Sequence, residues 1–329
     1  MIPGIMAAQM RAASGGGLDP NIGVVWTSRT SAADQSWSDV AWSPSLTLFA
    51  AVASTGAGNR VMTSPDGISW TLRTSAAAND WRGVAWSPEL GLFAAIANTG
   101  TGDRVMTSSN GTSWVSRTSA ADNDWRGIAW SPALGLFVVV GASGTGNRVM
   151  TSPSGITWTI RTSAADNSWT SVSWSPEVGL FVAVASSGAG NGVMTSPDGI
   201  NWTARTSAAD NLWFSVAWSP ALGLFASVAL SGAGNRVMTS PDGISWTIRT
   251  TPADNNWISV VWSPERALFV AIANTGTGDR VMTSPDGINW TTRTSATDNN
   301  WRGIAWSPGL SKFVAVATTG TGNRVMTSL

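Results

Sequence analysis

Hydrophobic and polar positions recur along this chain with a period of 44 residues, and no repeat carries an insertion or deletion. Within each repeat, four short segments rich in β-branched and aromatic residues are separated by turn signals, which predicts four strands. In one unit these are residues 81–88, 92–98, 104–108 and 114–119. The second segment, for example residues 180–185 (LFVAVA), is apolar at successive positions, as a strand covered on both faces would be. The fourth alternates: Trp70, Leu72 and Thr74 fall on one face and Thr71, Arg73 and Ser75 on the other, the pattern of a half-exposed edge strand. The repeat therefore reads as a propeller blade with its first strand at the hub and its fourth at the rim.

The connections carry matching signals. Ser64-Pro65-Asp66-Gly67 sets proline, aspartate and glycine where a tight turn needs them, and the turn recurs at Ser196-Pro197-Asp198-Gly199, Ser240-Pro241-Asp242-Gly243 and Ser284-Pro285-Asp286-Gly287. Glycine-rich turns such as Thr99-Gly100-Thr101-Gly102-Asp103 join the second and third strands. The termini test closure. Gly23 and Trp26 occupy the phase of Gly67 and Trp70, while residues 324–329 repeat the phase of 60–65. The chain thus opens with an outer strand and ends with three inner ones, and residues 23–329 number 307, one short of seven units. The expected fold is all-β: a closed seven-bladed β-propeller of four antiparallel strands per blade, its ring sealed by strands from both termini. Residues 1–22 are expected to form a flexible leader, ending in Gly15-Gly16-Gly17, and residues 23–329 the propeller.

Composition narrows the chemistry. Lysine plus arginine and aspartate plus glutamate balance at 19 each, so no basic surface favours nucleic acid. No apolar run approaches the roughly 20 residues that span a bilayer. The chain lacks cysteine, histidine and tyrosine, which removes thiolate and imidazole chemistry and the phenol nucleophile of sialidases. One aspartate per interblade loop falls short of the six to eight oxygens calcium takes, and no cofactor is implied.

The Ser-Pro-Asp-Gly-x-x-Trp turn resembles the Asp-box of bacterial neuraminidase repeats, although Gly67 directly follows Asp66 and two repeats carry Asn110 or Ser154 at the aspartate position. In that family the box is a folding element, so the resemblance implies a propeller and not hydrolysis. The family's tyrosine nucleophile is missing, and Glu89, Glu177 and Glu265 stand 88 residues apart, too regularly to form a hydrolytic pair. The repeat is also similar to those of uncharacterised phage and bacterial proteins, and the opening residues Met1 to Gln9 resemble the starts of some phage structural proteins.

All 21 tryptophans fall on three ladders. The first, Trp26 to Trp290, follows the Ser-Pro-Asp-Gly turn and reads as its cover. The third, Trp42 to Trp306, reads as packing between blades. The second, Trp37, Trp81, Trp125, Trp169, Trp213, Trp257 and Trp301, opens the hub strand after a polar loop, and its neighbours vary most, from Asp80 and Arg82 to Leu212 and Phe214. An indole beside amides suits a sugar, which makes these seven tryptophans and Asn79, Asn123, Asn167, Asn211, Asn255 and Asn299 the candidate ligand-binding residues. Asp34, Asp122, Asp166, Asp210, Asp254 and Asp298 are expected to bond their own loops.

The expected function is a non-catalytic, lectin-like or surface-recognition propeller, a monomeric ring binding a glycan or glycosylated surface through repeated weak sites, in a virion or extracellular setting. The alternative is a structural propeller with no small ligand, such as a virion component. An enzyme would need carboxylates that no repeat displays.

Overall fold

The computed structural model describes residues 19–328. It contains 28 strands numbered in chain order: β1 (Thr27–Arg29), then β2 (Trp37–Ser43), β3 (Leu48–Ala53), β4 (Val61–Ser64) and β5 (Thr71–Arg73), with the same series recurring to β26 (Trp301–Ser307), β27 (Lys312–Ala317) and β28 (Val325–Ser328). They form seven four-stranded antiparallel sheets, each following chain order from hub to rim except the last, which runs β26-β27-β28-β1. Thr27 pairs with Thr327 and Arg29 with Val325, so the N-terminal strand completes the blade that the C-terminus leaves open. The closed seven-bladed propeller expected from the repeat is the structure found.

Burial follows the hydrophobic pattern. In β3, residues Phe49 to Ala53 are wholly buried, as are Val61 and Met62 in β4, because both lie between neighbouring blades. Phe49 sits between two indoles, with ring centroids 4.5 Å from Trp42 and 6.3 Å from Trp70, and this triplet repeats around the ring. Strand β5 is exposed or half-buried, as its alternation foretold.

The Ser-Pro-Asp-Gly turn is built from its own side chains. The Asp66 carboxylate accepts hydrogen bonds from the Ile68 and Ser69 amides, both at 2.8 Å, and Ser64 Oγ accepts from Gly67 N at 2.8 Å. Trp70 Nε1 closes the turn by donating to the Gly67 carbonyl at 3.1 Å. Gly67 has φ of +73°, and a Cβ there would meet Val314 of the adjacent blade at 2.7 Å, so glycine is demanded twice. These turns and the Ser-Pro turns after each hub strand share one face, the turn face. The links between blades and the glycine-rich turns share the other, the loop face.

A β-bulge interrupts every hub strand. Trp37 pairs with Ala53 but Asp39 pairs with Val52, leaving Ser38 as the extra residue, and the same shift follows each second-ladder tryptophan. It places both residues after the indole on the central channel.

The leader expected over residues 1–22 falls mostly outside the described residues. Of its described part, Ile22 is only 3% exposed and packs into the closing blade with Trp26 and Phe313, so the propeller begins slightly earlier than residue 23.

Candidate functional site

The structure buries the seven candidate tryptophans and engages the amides of the six candidate asparagines. Trp37, Trp81, Trp125, Trp169, Trp213, Trp257 and Trp301 are all 0% exposed. Each sits between blades and donates its indole N–H to the carbonyl four residues earlier, at 3.0–3.2 Å. An indole covered on both faces has no surface for a sugar ring, so the stacking role expected of this ladder does not hold. Asn79, Asn123, Asn167, Asn211, Asn255 and Asn299 are likewise engaged, each amide donating to the carbonyl oxygen of the next glycine-rich turn, Asp103, Asn147, Asn191, Asn235, Asp279 or Asn323, at 2.8–3.0 Å. They pin the loop face rather than present amides to solvent.

The loop aspartates bond within their own loops, where Asp122 accepts from Ser119 Oγ at 3.4 Å and Asp298 from Ser295 Oγ at 3.5 Å, and they also act across blades. Asp122 accepts from the Gly102 amide of the preceding blade at 2.8 Å, with equivalent bonds from Gly146 to Asp166, Gly190 to Asp210, Gly234 to Asp254, Gly278 to Asp298 and Gly322 to Asp34. Arg104, at the start of its strand, donates to the Gly100 and Asn98 carbonyls and organises the turn that Asp122 holds.

What the bulge turns toward the channel is the residue beside each indole. Around the channel mouth these residues are Ser38, Arg82, Arg126, Thr170, Phe214, Ile258 and Arg302, followed by Asp39, Gly83, Gly127, Ser171, Ser215 and Ser259, and they enclose a cavity of ≈ 120 Å³. Where the repeats are otherwise nearly uniform, this ring is not. Three repeats read Trp-Arg-Gly, and their blades, together with the one carrying Asp39, are neighbours, so Arg302, Asp39, Arg82 and Arg126 make a continuous arc. Glycine after arginine is a packing requirement: a Cβ on Gly303 would meet Asp39 Cα at 2.6 Å, and one on Gly127 would meet Ser171 Cα at 2.8 Å.

The arc is electrostatically tense. Burial, then repulsion from Arg82 and Arg126, lowers the Arg302 pKa to about 10. Arg82 is lowered for the same two reasons, burial and the charge of Arg126. Burial raises the Asp39 carboxyl to about 7, against the opposing pull of the Val84 amide, which donates to it at 3.0 Å, and of Arg302. The partners at the rim are loose, with Arg126 3.5 Å from Asp124 and Arg82 4.0 Å from Asp80. The buried Nε–H groups of Arg82 and Arg126 have no acceptor among the described residues. Arg302 leans across the channel, its guanidinium carbon 4.7 Å from the Phe214 ring centroid.

At the turn face the third ladder packs between blades as expected, with Trp218, Trp262 and Trp306 buried and the other four half-buried against the cores. Trp174, Trp218 and Trp262, with Pro176, Pro220 and Pro264, line a depression of ≈ 390 Å³. Trp130, Trp218 and Trp306 donate to Glu89, Glu177 and Glu265 of the preceding blade at 2.6, 2.6 and 2.7 Å, which gives those glutamates a structural partner. Trp42, Trp86, Trp174 and Trp262 follow blades without a glutamate there, and their buried N–H groups are unpartnered.

No protein-family model matches the chain, and no curated protein matches it in sequence. Solved structures do. One described as a streptogramin B lyase superposes with a TM-score of 0.76 at 8% identity, over 93% of this chain and 97% of that one. YCF48 bound to D1 peptide gives 0.67 at 15% identity, covering 95% and 96%. A GH74 enzyme of Niastella koreensis gives 0.63 at 15%, covering 90% of this chain and 56% of that one. At such identities the likeness is one of fold, the propeller, and carries no activity over to this chain.

Proposed function

We propose that this chain is a non-catalytic recognition propeller that holds an anionic group at the mouth of its central channel. The observation that carries this reading is the convergence of Arg82, Arg126 and Arg302 on one cavity, with two buried guanidinium N–H groups that find no acceptor among the described residues. Unpaired buried donors are costly, and an oxyanion would satisfy them with charge-assisted bonds. Against catalysis, Asp39 is the single carboxyl lining that cavity, and Glu89, Glu177 and Glu265 are committed to indoles at the opposite face. The glycan expected from sequence fits this reading as an acidic saccharide, bound through its carboxylate by a monomeric ring in a virion or extracellular setting. Within it, we read the Ser-Pro-Asp-Gly turns as Asp-box folding elements of the neuraminidase-repeat type, with no hydrolytic role.

A glycan array carrying sialylated, uronate-containing and neutral oligosaccharides tests the proposal with the wild type and Arg126→Ala. Binding confined to acidic glycans and reduced at least tenfold by the substitution is expected. Binding to neutral glycans alone, unaffected by Arg126→Ala, would overturn it and favour a second reading, in which a neutral sugar stacks in the depression lined by Trp174, Trp218 and Trp262.

A further inference from the structure

We infer that the channel mouth selects a monocarboxylate joined to a short apolar chain over inorganic oxyanions. The inference rests on the anion-binding reading and names its ligand class.

The seven blades do not surround the cavity evenly. Four consecutive hub strands contribute Arg302, Asp39, Arg82 and Arg126; across Thr170, the remaining two contribute Phe214 and Ile258. One half of the wall therefore carries the guanidinium groups, and the other carries Phe214 and Ile258 with the Ser215 and Ser259 hydroxyls beside them. Arg302, stacked over Phe214, joins the halves and brings a guanidinium edge beside the aromatic surface. Ile258 is 3% exposed, so its side chain forms a fixed wall, while Phe214 is half-buried and open toward the cavity.

Phosphate or sulfate placed here would set part of its oxygens against Phe214 and Ile258, where no donor stands, and burying unpaired polar atoms is unfavourable. Asp39, lying between Arg302 and Arg82, opposes a dianion further and tolerates a single negative charge better. A carboxylate is planar and needs donors on one side only, matching the fork of a guanidinium, and an attached alkyl group would lie along Phe214 and Ile258. The cavity of ≈ 120 Å³ has room for a group of a few carbons.

The test is a ligand-observed NMR titration of the full chain with acetate, propionate, butyrate and inorganic phosphate, repeated on Arg126→Ala, Phe214→Ser and Phe214→Leu. Affinity should rise roughly two- to fourfold per methylene from acetate to butyrate, with phosphate weaker than propionate. Phe214→Ser should flatten that slope while acetate still binds, and Phe214→Leu should keep it. Equal binding of acetate, butyrate and phosphate, unmoved by Phe214→Ser, would overturn the selectivity and leave anion recognition standing. Absence of binding by all four ligands would overturn the anion-binding reading itself.

Discussion

At the scale of single residues, Asp39 is the group whose protonation the fold controls. Its unfolded value is 3.8 and burial raises it to about 7 in the folded chain, so the folded state holds the proton more tightly. The sign follows: between about pH 4 and pH 7 this group makes folding less favourable as pH rises, and above pH 7 the effect is constant. Asp39→Asn removes the titration and keeps an oxygen to accept from Val84. The variant and the wild type are expected to melt within about 1 °C of each other near pH 3.5, below the unfolded value, where Asp39 is largely protonated in both states. At pH 8 the variant should melt several degrees higher, as scanning calorimetry at the two pH values would show. A lower melting point for the variant at pH 8 would mean that attraction between the Asp39 carboxylate and Arg302 outweighs the cost of burial.

The residue scale is also where reading the sequence went astray. Invariance of Trp81 beside variable Asp80 and Arg82 was legible, but which side chain faces outward was not. Strand alternation predicts facing only while the register is unbroken, and the bulge after each second-ladder tryptophan turns the indole between blades and its successors onto the channel. The Trp-Arg-Gly triplet in three repeats was the available signal for Arg82, Arg126 and Arg302. It needed the ring's geometry to show that those three blades flank the one bearing Asp39.

At the scale of elements, the blade-to-blade links show how a repeat tolerates small departures. Six interfaces carry the bond from a glycine amide to the next loop's aspartate; at the seventh, Gly58 faces Ala78. Arg60 there reaches Asp80 instead, at 2.7 Å. Ala78→Asp should restore the missing acceptor and raise stability by about 1 kcal/mol, the usual scale for a partly exposed charge-assisted bond. Asp122→Ala should lower it by a similar amount, both read from urea midpoints at unchanged slope. If Ala78→Asp is neutral while Asp122→Ala destabilises, the Arg60–Asp80 pair already fulfils the same role. The turns and strand order were legible from sequence because glycine, proline and β-branched residues act locally. That the loop aspartates bond a neighbouring blade was not, since the partner glycine lies 20 residues earlier in the chain, as Gly102 does from Asp122.

At the scale of the molecule, closure is the property on which the channel depends, because the arc of Arg302, Asp39, Arg82 and Arg126 spans the junction between the last-closing blade and the first. That junction is held by three pairs between β1 and β28, by the bond from Gly23 N to Ser328 Oγ at 2.7 Å and by Trp26 packed near Phe313. The repeat supplies an internal control for its contribution. Thr27 and Thr327 are direct cross-strand partners, and Thr63 and Thr71 are partners at the same position within another blade. The chain has no cysteine, so either pair can be replaced by two cysteines without competing thiols. Local geometry in the two disulfides would be alike, but one closes nearly the whole chain and the other a single hairpin. Loop-closure entropy then favours Thr27→Cys/Thr327→Cys by about 3 kcal/mol. Oxidised against reduced melting curves should show the larger rise for the terminal pair, and a shift no greater than that of Thr63→Cys/Thr71→Cys would mean that the ring does not open at this seam when it unfolds.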